Sequence, residues 1–166
     1  MAPAKRWNVL FLCTGNSARS IVAESILRRE GAPRIDAFSA GSHPTGRVNP
    51  HALELLRAEG FPTEGLRSKA WDAFAGPDAA PLDVVITVCD NARGEACPAW
   101  PGHPVTAHWG VADPADVDGG NDEQRAAFER AFRLLLARIR LFTRLPLDTL
   151  DPASLTAQLR AIGEAT

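Results

Sequence analysis

Apolar residues in this chain come in short unbroken runs, and between the runs they return at the 3.6-residue period of a helix face. The runs at 9–12 (Val9, Leu10, Phe11, Leu12), 35–39 and 105–108 read as strands, and 82–88, LDVVITV, is the strongest of the four. Between them, 19–29 reads as a helix carrying Ile21, Val22 and Ile26, and Gly31 with Pro33 breaks the pattern after it. Asn49 and Pro50 supply an N-cap and a first helical residue for 51–59, which Gly60 ends, with Ala52, Leu55 and Leu56 toward the sheet. The signal from 61 to 82 is weak, with a short helix expected at 68–74. Asn121 is expected to cap a long helix whose Phe128, Phe132, Leu135, Leu136, Ile139 and Phe142 keep the period until Pro146. A last helix begins at Asp151 and Pro152 and ends near Gly163. Strand and helix alternate, so the expected fold class is α/β, a single doubly wound domain on a four-stranded parallel sheet with helices on both faces. One domain over 1–166, with 146–166 as a C-terminal helical extension, fits the 166-residue length.

Composition narrows the function classes. A net charge of −2 and no basic run longer than two residues argue against nucleic acid and acidic membrane surfaces as partners. Every apolar run is strand-sized, too short to cross a bilayer, and no secretory leader is visible, so a cytoplasmic location is expected. Three cysteines are an odd count, which in a reducing compartment points to catalytic, redox-active or inert thiols rather than a disulfide scaffold.

The chemistry concentrates where the first strand runs into the first helix. In CTGNSARS a thiol, Cys13, is followed by Thr14, Gly15, Asn16, Ser17 and Ala18, small or turn-tolerant residues whose backbone N–H groups can turn inward around a tetrahedral oxyanion. Arg19 closes that ring with a planar fork suited to two oxygens, and Ser20 adds a hydroxyl. The same positive field is expected to lower the Cys13 pKa below that of a free thiol. In an open parallel sheet, ligands bind outside the carboxyl ends of the strands. Cys13, Cys89 and Asp113 each follow such an end, so one rule sends all three to one rim. On spacing alone, Asp113 before Pro114 is an ordinary turn residue.

The segment from Cys13 to Ser20 resembles the phosphate-binding loop of the low-molecular-weight tyrosine phosphatase superfamily, which includes the thioredoxin-coupled arsenate reductases. The resemblance runs from Asn8 to about Phe142 and implies the strand order 2-1-3-4, which makes the strands ending at Cys13 and Cys89 neighbours. It also implies that Asp113 is the general acid, since an oxygen leaving phosphorus or arsenic must take a proton as sulfur attacks. A reductase needs further thiols for its electrons, and VITVCDNARGEACPAW puts Cys89 at a strand end and Cys97 in a polar loop, an arrangement suited to disulfide relay. The chain has no Tyr, and Ala115 and Asp116 stand where phosphatases of the superfamily place tyrosines, whereas AHWGVADPA is similar to the corresponding loop of arsenate reductases.

The resemblance therefore implies reduction of arsenate to arsenite, with phosphate or sulfate as oxyanion mimics, through Cys13 and a Cys89/Cys97 relay, without bound metal or organic cofactor. Thioredoxin is the implied reductant. The spacing of Cys89 and Cys97 is slightly wider than in that branch, so glutaredoxin with glutathione stays open as an alternative. The rival readings are a phosphotyrosine phosphatase in which Cys89 and Cys97 are bystanders, and a non-catalytic anion-binding or redox-sensing module. In related reductases a potassium ion beside the cradle is held by residues matching Asn16, Glu24 and Ser39 with a fourth, acidic residue. Here Lys69 takes that fourth place, and its ammonium is expected where the ion would be. His43, His51, His103 and His108 have no ligand spacing, and Trp71, Trp100 and Trp109 read as packing residues.

Overall fold

A computed structural model describes residues 5–76, 78–89, 100–117 and 119–164. Four strands, β1 (Trp7–Leu12), β2 (Ile35–Ala40), β3 (Val84–Thr87) and β4 (Val105–His108), form one sheet. Its order is β2-β1-β3-β4 and every pair is parallel, as expected. β1 and β3 are in register from Val9 opposite Val84 to Leu12 opposite Thr87, which sets the residues after both strands side by side.

Strand ends differ slightly from the apolar runs. Trp7 N donates to Arg34 O, drawing two more residues into β1, while Leu82 N bonds Pro101 O outside the ladder and β3 is shorter than its sequence run. The helices are α1 (Arg19–Glu30), α2 (Pro50–Ala58), α3 (Asn121–Thr143) and α4 (Pro152–Glu164). Asn49 caps α2 by accepting from His51 N at 2.9 Å. Asn121 is not the cap of α3. Gly120 holds that position, and Glu123 reaches back to accept its N–H at 2.9 Å. The weak stretch contains a 3-10 helix at Trp71–Phe74, shorter than expected.

One face of the sheet, through Val9, Phe11, Val84 and Ile86, packs with side chains from all four of these helices in a single core. On the other face Leu10, Leu12 and Val85 meet Phe38, Trp71, Phe74 and Trp100. Helix α1 is buried from Ser20 to Leu27 on every side, because the sheet, α2 and α3 surround it. At the β4 edge, α4 buries Leu155, Leu159 and Ile162 and accepts the Trp109 indole N–H at Leu159 O, 2.9 Å. Gly163 lies so close that a Cβ there would be 2.7 Å from His108 O. Among the described residues no helix is long and apolar enough to cross a membrane.

Candidate active site

The cradle is shaped by where its carbonyls go. Thr14 O accepts from His43 N, Gly15 O from Thr45 N and Ser68 Oγ, and Ser17 O from Asn49 N, all partners outside the loop. With these carbonyls drawn outward, the Gly15 N–H faces the Cys13 sulfur and the Thr14 N–H the Cys89 sulfur. The turn requires a left-handed residue, and Asn16 takes it at φ 45°, a conformation asparagine tolerates better than most. Gly41 passes directly behind: a Cβ there would lie 2.4 Å from Thr14 O and 2.7 Å from Cys13 O.

Cys13 and Cys89 are hydrogen-bond neighbours just beyond the ends of two adjacent strands, and both are buried. Thr14 N donates to the Cys89 sulfur at 3.2 Å, with Thr14 Oγ1 3.6 Å away. This corrects the expectation for Cys13. Its pKa is raised, first by the hydrogen bond with Cys89 and second by burial, while the charge of Arg19 and the Gly15 N–H pull the other way. Cys97 lies outside the described residues.

Arg19 spans the rim. Its Nη1 donates to Val111 O at 2.9 Å and its Nη2 lies 3.4 Å from Asp113 Oδ2. The other Asp113 oxygen accepts from Ala115 N at 3.0 Å and starts a short 3-10 helix, Pro114–Asp116, so the turn role read from Asp-Pro is also filled. Cys13, Cys89, Arg19 and Asp113, from three separate stretches, thus converge at the carboxyl ends of β1, β3 and β4.

Beneath the loop lies a buried polar layer. Asn16 Nδ2 donates to Ser20 Oγ at 2.8 Å, which leaves the Ser20 hydrogen to donate, and Asn16 Oδ1 accepts from Lys69 N at 2.9 Å. Glu24, only 4% exposed, accepts from Ser39 Oγ at 2.5 Å and Arg28 Nη2 at 2.6 Å, and Lys69 Nζ stands 3.7 Å from its Oε1. Lys69 Nζ also donates to Arg67 O at 2.8 Å. Burial lowers the Lys69 pKa, opposed by the charge of Glu24. This set does not fit potassium, because the Lys69 ammonium already faces the Glu24 carboxylate that the ion would need.

Several of these groups escaped sequence reasoning. Ser68 and the Lys69 amide brace the loop from a stretch whose secondary-structure signal is weak, and no spacing pattern brings the segment around Gly41 to the cradle. Trp109 packs as expected and is wholly buried, while His108 Nδ1 lies 2.7 Å from Thr87 Oγ1 and His43 beside Ser42. Among the described residues, no three His, Cys, Asp or Glu side chains converge as metal ligands.

A thiol in an amide cradle, faced by an arginine and an Asp-Pro carboxylate on a 2-1-3-4 parallel sheet, is the architecture of one family: residues 8–151 match low molecular weight phosphotyrosine protein phosphatase, and the chain belongs to it. Within that family the chain is similar in sequence to arsenate reductases. The arsenate reductase of Halalkalibacterium halodurans is 35% identical over 134 residues, 81% of this chain and 93% of the relative. The crystal structure of arsenate reductase from Archaeoglobus fulgidus superposes with a TM-score of 0.63 at 26% identity, covering 81% of this chain and 98% of that one. The thioredoxin-dependent arsenate reductase of Corynebacterium glutamicum gives 0.55 at 25%, covering 85% and 65%. Helix α4 lies beyond the family match.

Proposed function

We propose that this chain is an arsenate reductase that converts arsenate to arsenite through Cys13, with Cys89 and Cys97 as a thiol relay. The observation that carries the reading is the contact between Cys13 and Cys89 at the mouth of the cradle. A phosphatase needs only the first thiol, whereas a reductase needs a second within bonding reach. Arsenate oxygens bind the loop amides of residues 14–18 and the Arg19 fork, taking the Thr14 N–H from Cys89. The Cys13 thiolate attacks arsenic, and the Asp113 carboxyl gives its proton to the departing oxygen, which leaves as water. The Cys89 thiolate then attacks the Cys13 sulfur. The sulfur–arsenic electron pair stays with arsenic, arsenite leaves, and a Cys13–Cys89 disulfide remains. Cys97 attacks Cys89 and moves the disulfide to Cys89–Cys97, where a dithiol protein reduces it. Thioredoxin is the reductant we assign, on the likeness to the thioredoxin-dependent relative, and a cytoplasmic setting follows from the need for reduced thiols.

The test is steady-state turnover with thioredoxin, thioredoxin reductase and NADPH, repeated with glutaredoxin and glutathione. Arsenate-dependent NADPH oxidation supports the reading. Aryl phosphate hydrolysis without reductant, and no arsenate turnover with any thiol donor, overturns it in favour of a phosphatase.

The Lys69 ammonium fills the role a monovalent cation would play beside Asn16 and Glu24. The expected outcome is an equal arsenate-reduction rate in KCl and NaCl of the same ionic strength. In Lys69→Ala, KCl is expected to raise the melting temperature, since an ion that binds only the folded state stabilises it by mass action. A wild-type rate that depends on potassium contradicts this role.

A further inference from the structure

Helix α3 presents a regular apolar stripe, Phe128, Phe132, Leu135, Ile139 and Phe142, and the stripe is interrupted by one charge, Arg138, which is 5% exposed. Arginine is among the side chains least often buried without a partner, and no described carboxylate pairs with this one. Its Nη1 donates to Gly110 O at 3.1 Å, and its Nε has no acceptor.

Gly110 belongs to the loop that carries Asp113. That loop leaves the sheet with Trp109 N bonded to Thr87 O and Val111 N to Val88 O, so its amides are fixed to β3 and the residue after it. Two of its carbonyls are held by guanidinium groups, Gly110 O by Arg138 and Val111 O by Arg19. Arg19 must also bind substrate, so its hold on Val111 is shared. Arg138 has no such second duty, being walled off in the core.

We propose that Arg138 is a positioning residue for Asp113: it clamps the Gly110 carbonyl from within the core and so holds the proton donor at the rim when Arg19 turns to the oxyanion. The proposal rests on Asp113 as proton donor. A merely space-filling arginine would be replaceable by an apolar side chain of similar length, and its loss would act through stability alone.

The experiment is single-turnover arsenite release, without reductant, for wild type, Arg138→Met, Arg138→Lys, Asp113→Asn and the Arg138→Met/Asp113→Asn pair, with melting temperatures alongside. Arg138→Met is expected to slow release about tenfold at saturating arsenate, as for a displaced catalytic group, with half-saturation nearly unchanged. Arg138→Lys is expected to recover part of that rate, and in the Asp113→Asn background Arg138→Met is expected to cost nothing further. An equal loss in both backgrounds, or folded Arg138 variants with the wild-type rate, overturns the proposal. If Arg138→Met does not fold, Arg138→Lys carries the same comparison, because it keeps the charge and loses the fork. A wild-type rate in Asp113→Asn overturns the proton-donor reading itself and is recognisable with Arg138 intact.

Discussion

Replacing Cys89 with serine is expected to lower arsenate turnover by about a hundredfold or more, because the thiol next to Cys13 is no longer there to displace arsenite. The same substitution is expected to make Cys13 more reactive. The largest cause raising the Cys13 pKa is its hydrogen bond with Cys89, and serine does not exchange a proton with it as an acid. Burial remains, but the Arg19 charge and the Gly15 amide then act with less opposition. The sign follows: a raised pKa keeps the wild-type thiol protonated to higher pH, so alkylation of Cys13 by iodoacetamide should rise at higher pH in wild type than in Cys89→Ser. Rates of Cys13 carbamidomethylation across a pH series, read by mass spectrometry, check this. Coincident profiles would show that the neighbouring sulfur does not control the nucleophile, and undiminished turnover would remove Cys89 from the chemistry.

Gly41→Ala is expected to be nearly as damaging, although the residue never touches substrate. The new methyl would lie 2.4 Å from Thr14 O and 2.7 Å from Cys13 O, both backbone atoms that cannot swing aside like a side chain. The loop must move instead. Displacing the amides and the sulfur by about 1 Å costs on the order of a hundredfold in rate, and overpacking of this kind costs about 1–3 kcal/mol of stability. Gly41 N and O also bond Lys69 O and Trp71 N, so the shift spreads into the layer beneath the cradle. Steady-state kinetics and thermal unfolding of the variant test the point. Wild-type kinetics in a folded Gly41→Ala protein would mean that the cradle tolerates displacement.

The strand-loop-helix core of the site was legible because it is local. Residues 9–29 contain the apolar strand, the small-residue turn and the arginine within one stretch, and the fold rule about strand ends then gathered Cys89 and Asp113. What stayed hidden depends on contacts across long separations. The sign of the Cys13 shift is set by a sulfur 76 positions away, and no pattern around Cys13 contains it. Glu24 sits on a helix buried on all sides, where the amphipathic pattern that separates core from solvent does not exist. Arg138 occupies a position that periodicity assigns to the core, and the reason for its charge is a carbonyl on another element. Asn121 was a sound cap by residue type, yet a glutamate two positions on supplied the acceptor to Gly120 instead.

Helix α4 bears on a different problem, that of the sheet's margins. The peptide groups of Trp109 and Val105 turn toward β3, so His108 in between directs its own outward, at the side of β4 that has no neighbouring strand among the described residues. Such a margin is a template for a strand from another molecule. With Gly163 seated against His108 O, that end of the margin is closed to an incoming chain. At the opposite margin, the exposed Arg6–Asp36 ion pair puts charge on β2. Both flanks of the sheet are thus guarded against strand-by-strand self-association, one by a helix and one by charge.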